Sequence, residues 1–225
     1  PDLVLPGSSV ELFQSMVDRR VRHEPVWYIT NEAFFWRDSF FVDDRVLIPR
    51  PETELLVELS LAEIRRQLAT RKSPLARQKL RGESRVPSRE LRFSLIDVGT
   101  GCGCIAISLA RKLMSSRANQ LSSKLVTSLS RHLIIYASDI SPEAIEVAKT
   151  NAKQLGVADG ITFLVGDALD PLPEPVDLIV GNPPYIPSET IGGLAYDIHH
   201  FEPRVALDGG KDGLDVHRKI LAQSS

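Results

Sequence analysis

Asp97-Val98-Gly99-Thr100-Gly101-Cys102-Gly103 is the stretch on which the fold turns. Three glycines alternate with other residues directly after an apolar run, 93–98, and directly before a helix-forming run, 104–113. Glycine has no Cβ, so the backbone can turn tightly there and approach a ligand closely. The free amides that open the following helix attract an anion, a carboxylate or a phosphate. Strand, glycine turn and helix in that order predict a ligand-binding crossover on a parallel sheet.

Downstream the pattern repeats. Strands are expected at 133–138, 161–165 and 176–180 and a helix at 142–155. This alternation predicts an α/β fold, a mostly parallel sheet covered on both faces. Upstream, Val10, Phe13, Val17 and Val21 recur at a spacing of three to four and predict a helix over 10–22. Aromatic and branched residues at 26–29 and 40–47 predict a short hairpin. Pro49 and Pro51 end it, and Leu55, Leu56, Leu59, Leu61 and Ile64 predict a helix over 53–67. Segments 65–92 and 115–131, rich in Ser and basic residues, are expected to be insertions, with a mobile surface loop at 70–92.

A chain of 225 residues, 43% hydrophobic, can bury the core of one large domain. No apolar run approaches the roughly 18 residues that a membrane span requires. The chain opens at Pro1 without a signal-like layout, so targeting stays open between cytoplasm and an organelle matrix. Cys102 and Cys104 stand one residue apart, where a mutual disulfide would be strained, and a reducing compartment fits them. The net charge of −2 hides an asymmetry: residues 65–92 hold ten Lys/Arg against two Asp/Glu, a balance of +8 that leaves −10 elsewhere. Such an acidic body repels nucleic acid unless the basic segment supplies the contact.

Two carboxylates follow strands. Asp139 closes the strand at 133–138, where it can accept both ribose hydroxyls of an adenosyl cofactor. Asp167, in Gly166-Asp167-Ala168, falls where the adenine would lie, although aspartate there can equally be a helix cap. Gly-x-Gly-x-Gly departs from the dinucleotide pattern Gly-x-Gly-x-x-Gly and resembles the first motif of methyltransferases, whose anion is the methionine carboxylate. The cofactor-binding candidates are therefore Gly99, Thr100, Gly101, Cys102, Gly103, Asp139, Asp167 and Ala168, together with Asn182.

Asn182-Pro183-Pro184-Tyr185 follows the fourth expected strand. Two prolines stiffen the loop, and Pro183 has no N–H to donate, so the carbonyls of Asn182 and Pro183 can face outward as acceptors. An amide nitrogen is a poor nucleophile because its lone pair is delocalised. The Asn182 side-chain oxygen and the Pro183 carbonyl, accepting its two hydrogens, would orient it toward a sulfonium methyl. Tyr185 offers a flat face to the planar amide or base.

With Leu47-Ile48-Pro49-Arg50-Pro51-Glu52-Thr53-Glu54, Phe201-Glu202-Pro203 and Ala206-Leu207-Asp208-Gly209-Gly210, these motifs make the chain resemble the HemK-type protein glutamine methyltransferases over about residues 10–221. The resemblance is to the release-factor branch. It implies a class I, Rossmann-like fold dependent on S-adenosylmethionine (SAM). The acceptor would be the glutamine in the Gly-Gly-Gln tip of peptide chain release factors, the partner the release factor itself, and the enzyme a monomer. It further implies that residues 1–48 are the remnant of a helical substrate-binding domain plus a hairpin linker. Residues 49–225 would then be the methyltransferase domain, with only four of its seven strands present and the C-terminal ones missing. Asn31 stands where that family usually has glycine.

Ribosomal-protein glutamine methylation, amino methylation of adenine or guanine, and a fold that binds nucleotide without transfer are the other readings. The acidic body speaks against nucleic acid. No metal is expected: Asp208-Gly209-Gly210-Lys211-Asp212-Gly213 faintly resembles a calcium loop but has Lys219 at the twelfth position. The pair His199-His200 is expected in a solvated loop.

Overall fold

The computed structural model describes residues 7–71, 92–115 and 133–224. Helix α1 (Gly7–Val21) matches the expected segment, but none of its residues is buried, and Val10, Phe13 and Val21 are more than half exposed. Residues 26–29 form no strand. They open α2 (Val26–Thr30), which follows Pro25 and ends at Asn31 with a left-handed φ of 54°. Proline is tolerated at a helix start, where no amide donor is needed, and asparagine visits the left-handed region more readily than most residues. Tyr28 and Ile29 are both buried, whereas a strand would point neighbours to opposite faces. The glycine usual at position 31 has the same physical basis, a positive φ.

The hairpin forms between the two segments expected for it, 26–29 and 40–47. It pairs β1 (Ala33–Phe35) with β2 (Asp38–Phe40) antiparallel. Beyond Phe40 the chain is irregular: Val46 N–H donates to the Asp43 carbonyl at 3.1 Å, and Val42, Val46 and Ile48 turn into the core. The Tyr28 hydroxyl donates to the Val46 carbonyl at 2.6 Å and ties α2 to this segment.

A 3-10 turn at Pro51–Thr53 leads into α3 (Glu54–Arg71). Its buried face is Val57, Leu61, Ile64 and Leu68, while Leu55 and Leu59 point outward, 57% and 56% exposed. The sequence offered two overlapping apolar stripes, and packing selected one. The helix takes in residues 65–71 of the first expected insertion; residues 72–91 of it, and 116–131 of the second, lie outside the described residues.

The main sheet follows. Its strands are β3 (Phe93–Val98), β4 (Leu133–Asp139), β5 (Ile161–Val165) and β6 (Leu178–Gly181), all parallel, in the order β5-β4-β3-β6. Between and after them come α4 (Cys104–Ser115), α5 (Pro142–Gln154), α6 (Tyr196–Phe201) and α7 (Asp215–Gln223). β3 is buried at every position, as a central parallel strand with both faces covered must be. Phe93 and Leu95 join the core shared with α3 and α4, whereas Ile96 and Val98 join a second cluster that includes Ile220 of α7. β6 begins two residues later than expected because the Asp177 carboxylate accepts from the Ser94 N–H at 2.8 Å, a side chain standing in for a ladder partner.

Local signals explain the helix starts. Ser141 caps α5, accepting from the Ala144 N–H at 3.1 Å, with Pro142 in the first turn. Farther along α5, the Asn151 side chain accepts from the Phe41 N–H at 2.7 Å and donates to the Phe41 and Cys102 carbonyls at 2.9 Å each. One buried amide thereby fastens the hairpin exit to the glycine turn. From β3 the chain runs outward through β4 to β5, then returns to β6 on the other side of β3. Strand order reverses there, and the carboxyl ends of strands at such a reversal open a crevice.

Candidate functional site

That crevice is a cavity of about 500 Å³. Of the residues expected to bind or react, Gly99, Gly101, Asp139, Asp167, Ala168, Asn182, Pro183 and Pro184 line it. Thr100, Cys102, Gly103 and Tyr185 do not. Thr100 is buried and its hydroxyl donates to Asp97 at 2.7 Å, Cys102 is buried against Asn151, and Gly103 supports the start of α4. Both cysteines are free thiols, and Cys102 together with burial pushes the Cys104 thiol well up, which leaves it inert.

The glycine turn has left-handed φ values of 69° at Gly99 and 54° at Gly101. Several of its amides are already engaged. Thr100 N–H donates to the Ser138 carbonyl, Gly101 N–H to Asp139 Oδ2 at 2.9 Å, and Gly103 N–H to the Thr100 carbonyl. These three are spent on the turn itself, so the expected anion cradle is narrower than the sequence implied.

Asp139 accepts from Gly101 on one oxygen and from the Ser141 N–H at 3.0 Å on the other. Burial pushes its carboxyl up, and those backbone donors pull it back. Each oxygen keeps capacity for one more donor. Asp97, in β3, is fully buried; Oδ2 accepts from Thr100 and from the Ala106 N–H, while Oδ1 has no protein partner among the described residues. Burial pushes this carboxyl up to about 6. Asp167 caps no described helix. Instead Lys219 of α7 pairs with it at 2.6 Å, so the acceptor expected for an adenine is partly neutralised. Ala168 follows with a left-handed φ of 54°.

Asn182 donates its side-chain nitrogen to Thr53 Oγ at 3.5 Å, a long bond that turns the amide oxygen into the acceptor left for a ligand. A second pocket of about 160 Å³ meets the first at Asn182 and Pro183 and is walled by Tyr185, Ile186, Leu194, Ile198 and Leu207. Tyr185 stands 58% exposed at its rim. The Asp208–Gly213 stretch, faintly calcium-like in sequence, buttresses this loop: Ile186 N–H donates to the Leu207 carbonyl at 3.0 Å and Gly209 N–H to the Ile186 carbonyl at 2.9 Å. A Cβ on Gly209 would lie 2.8 Å from the Tyr185 Cα, so only glycine fits there. The Asp208 carboxylate is occupied by Ser188 and Arg204. Among the described residues no group of His, Cys, Asp and Glu could hold a metal, and no helix is long and apolar enough to cross a membrane. His199 and His200 lie on α6, not in a loop, with His200 stacked on Tyr196 at 3.8 Å.

Sequence reasoning assigned no role to two further segments that line the large cavity. They are Arg45, Val46 and Leu47 and, far along the chain, Pro203, Arg204, Val205 and Ala206. Near these segments in sequence, Arg50 Nη2 contacts both carboxylate oxygens of Glu202, at 2.6 and 2.8 Å. The motifs around Arg50 and Glu202 were visible in the sequence as separate pieces, and their pairing was the missing information.

Residues 92–196 match the family model described as a methyltransferase domain. The chain is 38% identical over 204 residues to the release factor glutamine methyltransferase of Chlorobaculum tepidum, covering 88% of this chain and 57% of that protein. To the protein of that name from Moorella thermoacetica it is 39% identical, covering 93% of this chain and 60% of the other. It thus spans about three-fifths of the length of these curated relatives. A solved ribosomal protein L11 methylase from Lactobacillus delbrueckii subsp. bulgaricus superposes with a TM-score of 0.37 at 21% identity, covering 80% of this chain and 72% of that one. With a parallel sheet that reverses order at the glycine-turn strand, a methyltransferase-domain match and this likeness to curated relatives, the chain has the class I methyltransferase fold and is similar over most of its length to the release factor glutamine methyltransferases.

Proposed function

We propose that this protein transfers a methyl group from SAM to the side-chain amide nitrogen of the glutamine in the Gly-Gly-Gln tip of a peptide chain release factor. The observation that carries this reading is the meeting of two cavities at Asn182 and Pro183, one deep and lined by Gly99, Gly101 and Asp139, the other small and walled by Tyr185 and Ile186. A cavity of about 500 Å³ suits a nucleoside cofactor. The space beside Gly101, where a Cβ would meet nothing within 4 Å, and the spare acceptor capacity of Asp139 fit such a molecule.

SAM supplies an electrophilic methyl on a positively charged sulfur. In the proposed site Asp139 accepts from the ribose hydroxyls, and Asp167, with the Ala168 backbone, borders the adenine. Asn182 Oδ1 and the Pro183 carbonyl accept the two amide hydrogens of the substrate glutamine. This aligns the nitrogen and raises its electron density, so catalysis is mostly positioning. Pro184 keeps the loop rigid and Tyr185 flanks the planar amide. As the nitrogen gains carbon it sheds one proton to water, and no strong base is required. In this reading residues 1–48 are the linker toward a substrate-binding region and residues 49–225 the transfer domain. The enzyme works as a monomer where translation terminates, in the cytoplasm or an organelle matrix.

The test is incubation with isotope-labelled SAM and a purified release factor, followed by mass spectrometric mapping. Label on the Gly-Gly-Gln glutamine is expected. Label only on a ribosomal protein or on nucleic acid, or none at all, overturns the proposal.

A further inference from the structure

We propose that the Arg50–Glu202 ion pair is a positioning device for methyl transfer: it clamps together the two chain segments that grip the Asn182–Ile186 loop. The inference rests on the methyl-transfer reading above. One Arg50 nitrogen contacts both Glu202 oxygens, and the Glu202 side chain is 2% exposed. The partners lie on segments far apart in sequence, and each segment touches the loop. Three residues beyond Arg50, the buried Thr53 receives the Asn182 side-chain N–H at 3.5 Å. Five residues beyond Glu202, the Leu207 carbonyl receives the Ile186 N–H at 3.0 Å, and Gly209 returns a bond to the Ile186 carbonyl. The loop is held from both sides, and the ion pair joins the holders.

Two physical points favour positioning over mere stability. Taking the Glu202 carboxylate out of water costs about as much as its attraction to the partly exposed Arg50 returns, so such a pair is weak evidence for a stabilising role. Arg50 also borders the small pocket at Asn182 and Pro183. An unpaired guanidinium there would repel a cationic donor, and Glu202 cancels that charge while fixing the guanidinium in place.

The experiment compares wild type with Arg50→Lys, Glu202→Gln and the apolar double variant Arg50→Met with Glu202→Leu, which keeps the proteins testable if a single change fails to fold. Donor binding is measured by calorimetry, kcat and KM on the release factor, and amide hydrogen exchange at Ile186 and Gly209 against the β4 amides. Donor affinity is expected within about threefold of wild type. A loop displaced by about 1 Å should lower kcat about a hundredfold. Exchange at Ile186 and Gly209 should quicken about tenfold while β4 stays protected. Near-normal kcat in folded variants, unchanged exchange at those two amides, or donor affinity falling in step with kcat overturns the proposal. If wild type methylates no glutamine, the functional reading fails, and exchange at the two amides alone then decides whether the pair holds the loop.

Discussion

Gly99 and Pro183 face each other across the mouth of the crevice, so close that a Cβ on Gly99 would lie 3.8 Å from the Pro183 Cα. Their proximity follows from sheet register. Val98, which precedes Gly99, pairs with Gly181, two residues before Pro183, on neighbouring parallel strands. Both loops therefore leave the same edge of the sheet, and the glycine turn and diproline corner need no mobile element to meet.

Asn182→Ala removes the proposed acceptor from a loop held by its prolines and by backbone bonds to Leu207 and Gly209. We expect kcat to fall by about 10² to 10³, with unfolding free energy changed by less than about 1 kcal/mol. Initial rates and denaturant unfolding measure the two effects, and near-normal turnover rejects the role.

Thr53→Val keeps shape and burial but withdraws the oxygen that receives the Asn182 nitrogen. The Asn182 amide can then flip. Loss of one such bond is worth about 1 kcal/mol, so kcat should drop roughly fivefold with donor affinity unchanged. Single-turnover kinetics beside calorimetry separate these terms.

Asp139→Ala should weaken SAM binding by about ten- to a hundredfold, the range expected for a lost charged acceptor of 1.5–3 kcal/mol. Asp139→Asn keeps one acceptor oxygen and should fall between. Titration calorimetry reads both, and an unchanged dissociation constant for the alanine variant places the ribose elsewhere.

Asp97 makes stability depend on pH. Burial raises its folded value from 3.8 to about 6, so the folded state holds the proton more tightly than the unfolded chain. Its contribution is fully present below the unfolded value and is lost as pH rises through about 4 to about 6. At about 1.4 kcal/mol per unit the loss is on the order of 3 kcal/mol. Asp97→Asn can still accept from Thr100 and Ala106, so its unfolding free energy should lack this decline and exceed that of wild type at pH 8. Parallel slopes for the two proteins in denaturant titrations from pH 4 to 8 would refute this.

Local chemistry was readable in the chain. The β3 run, the glycine turn, the helix start at Pro142 and the diproline corner each depend on neighbours within a few residues, and the structure has them where the pattern implied. Residues 26–29 misled because a short aromatic and branched run suits either strand or helix, and the decision rested on Pro25 and Asn31 at its ends. The face of α3 misled for a related reason: Leu55 and Leu59 have the right spacing, but the core lies on the side of Val57 and Ile64.

What the sequence by itself determined was the glycine turn, the diproline corner and the apolar runs, because glycine conformational freedom, proline rigidity and apolar periodicity act within a few positions of the chain. Only the tertiary structure decided how they are used. It committed the Gly101 amide to Asp139, paired Lys219 with Asp167, and brought Arg50 against Glu202. Such contacts join segments remote along the backbone, and strand order and packing, which leave no periodic trace in sequence, set the distances between them.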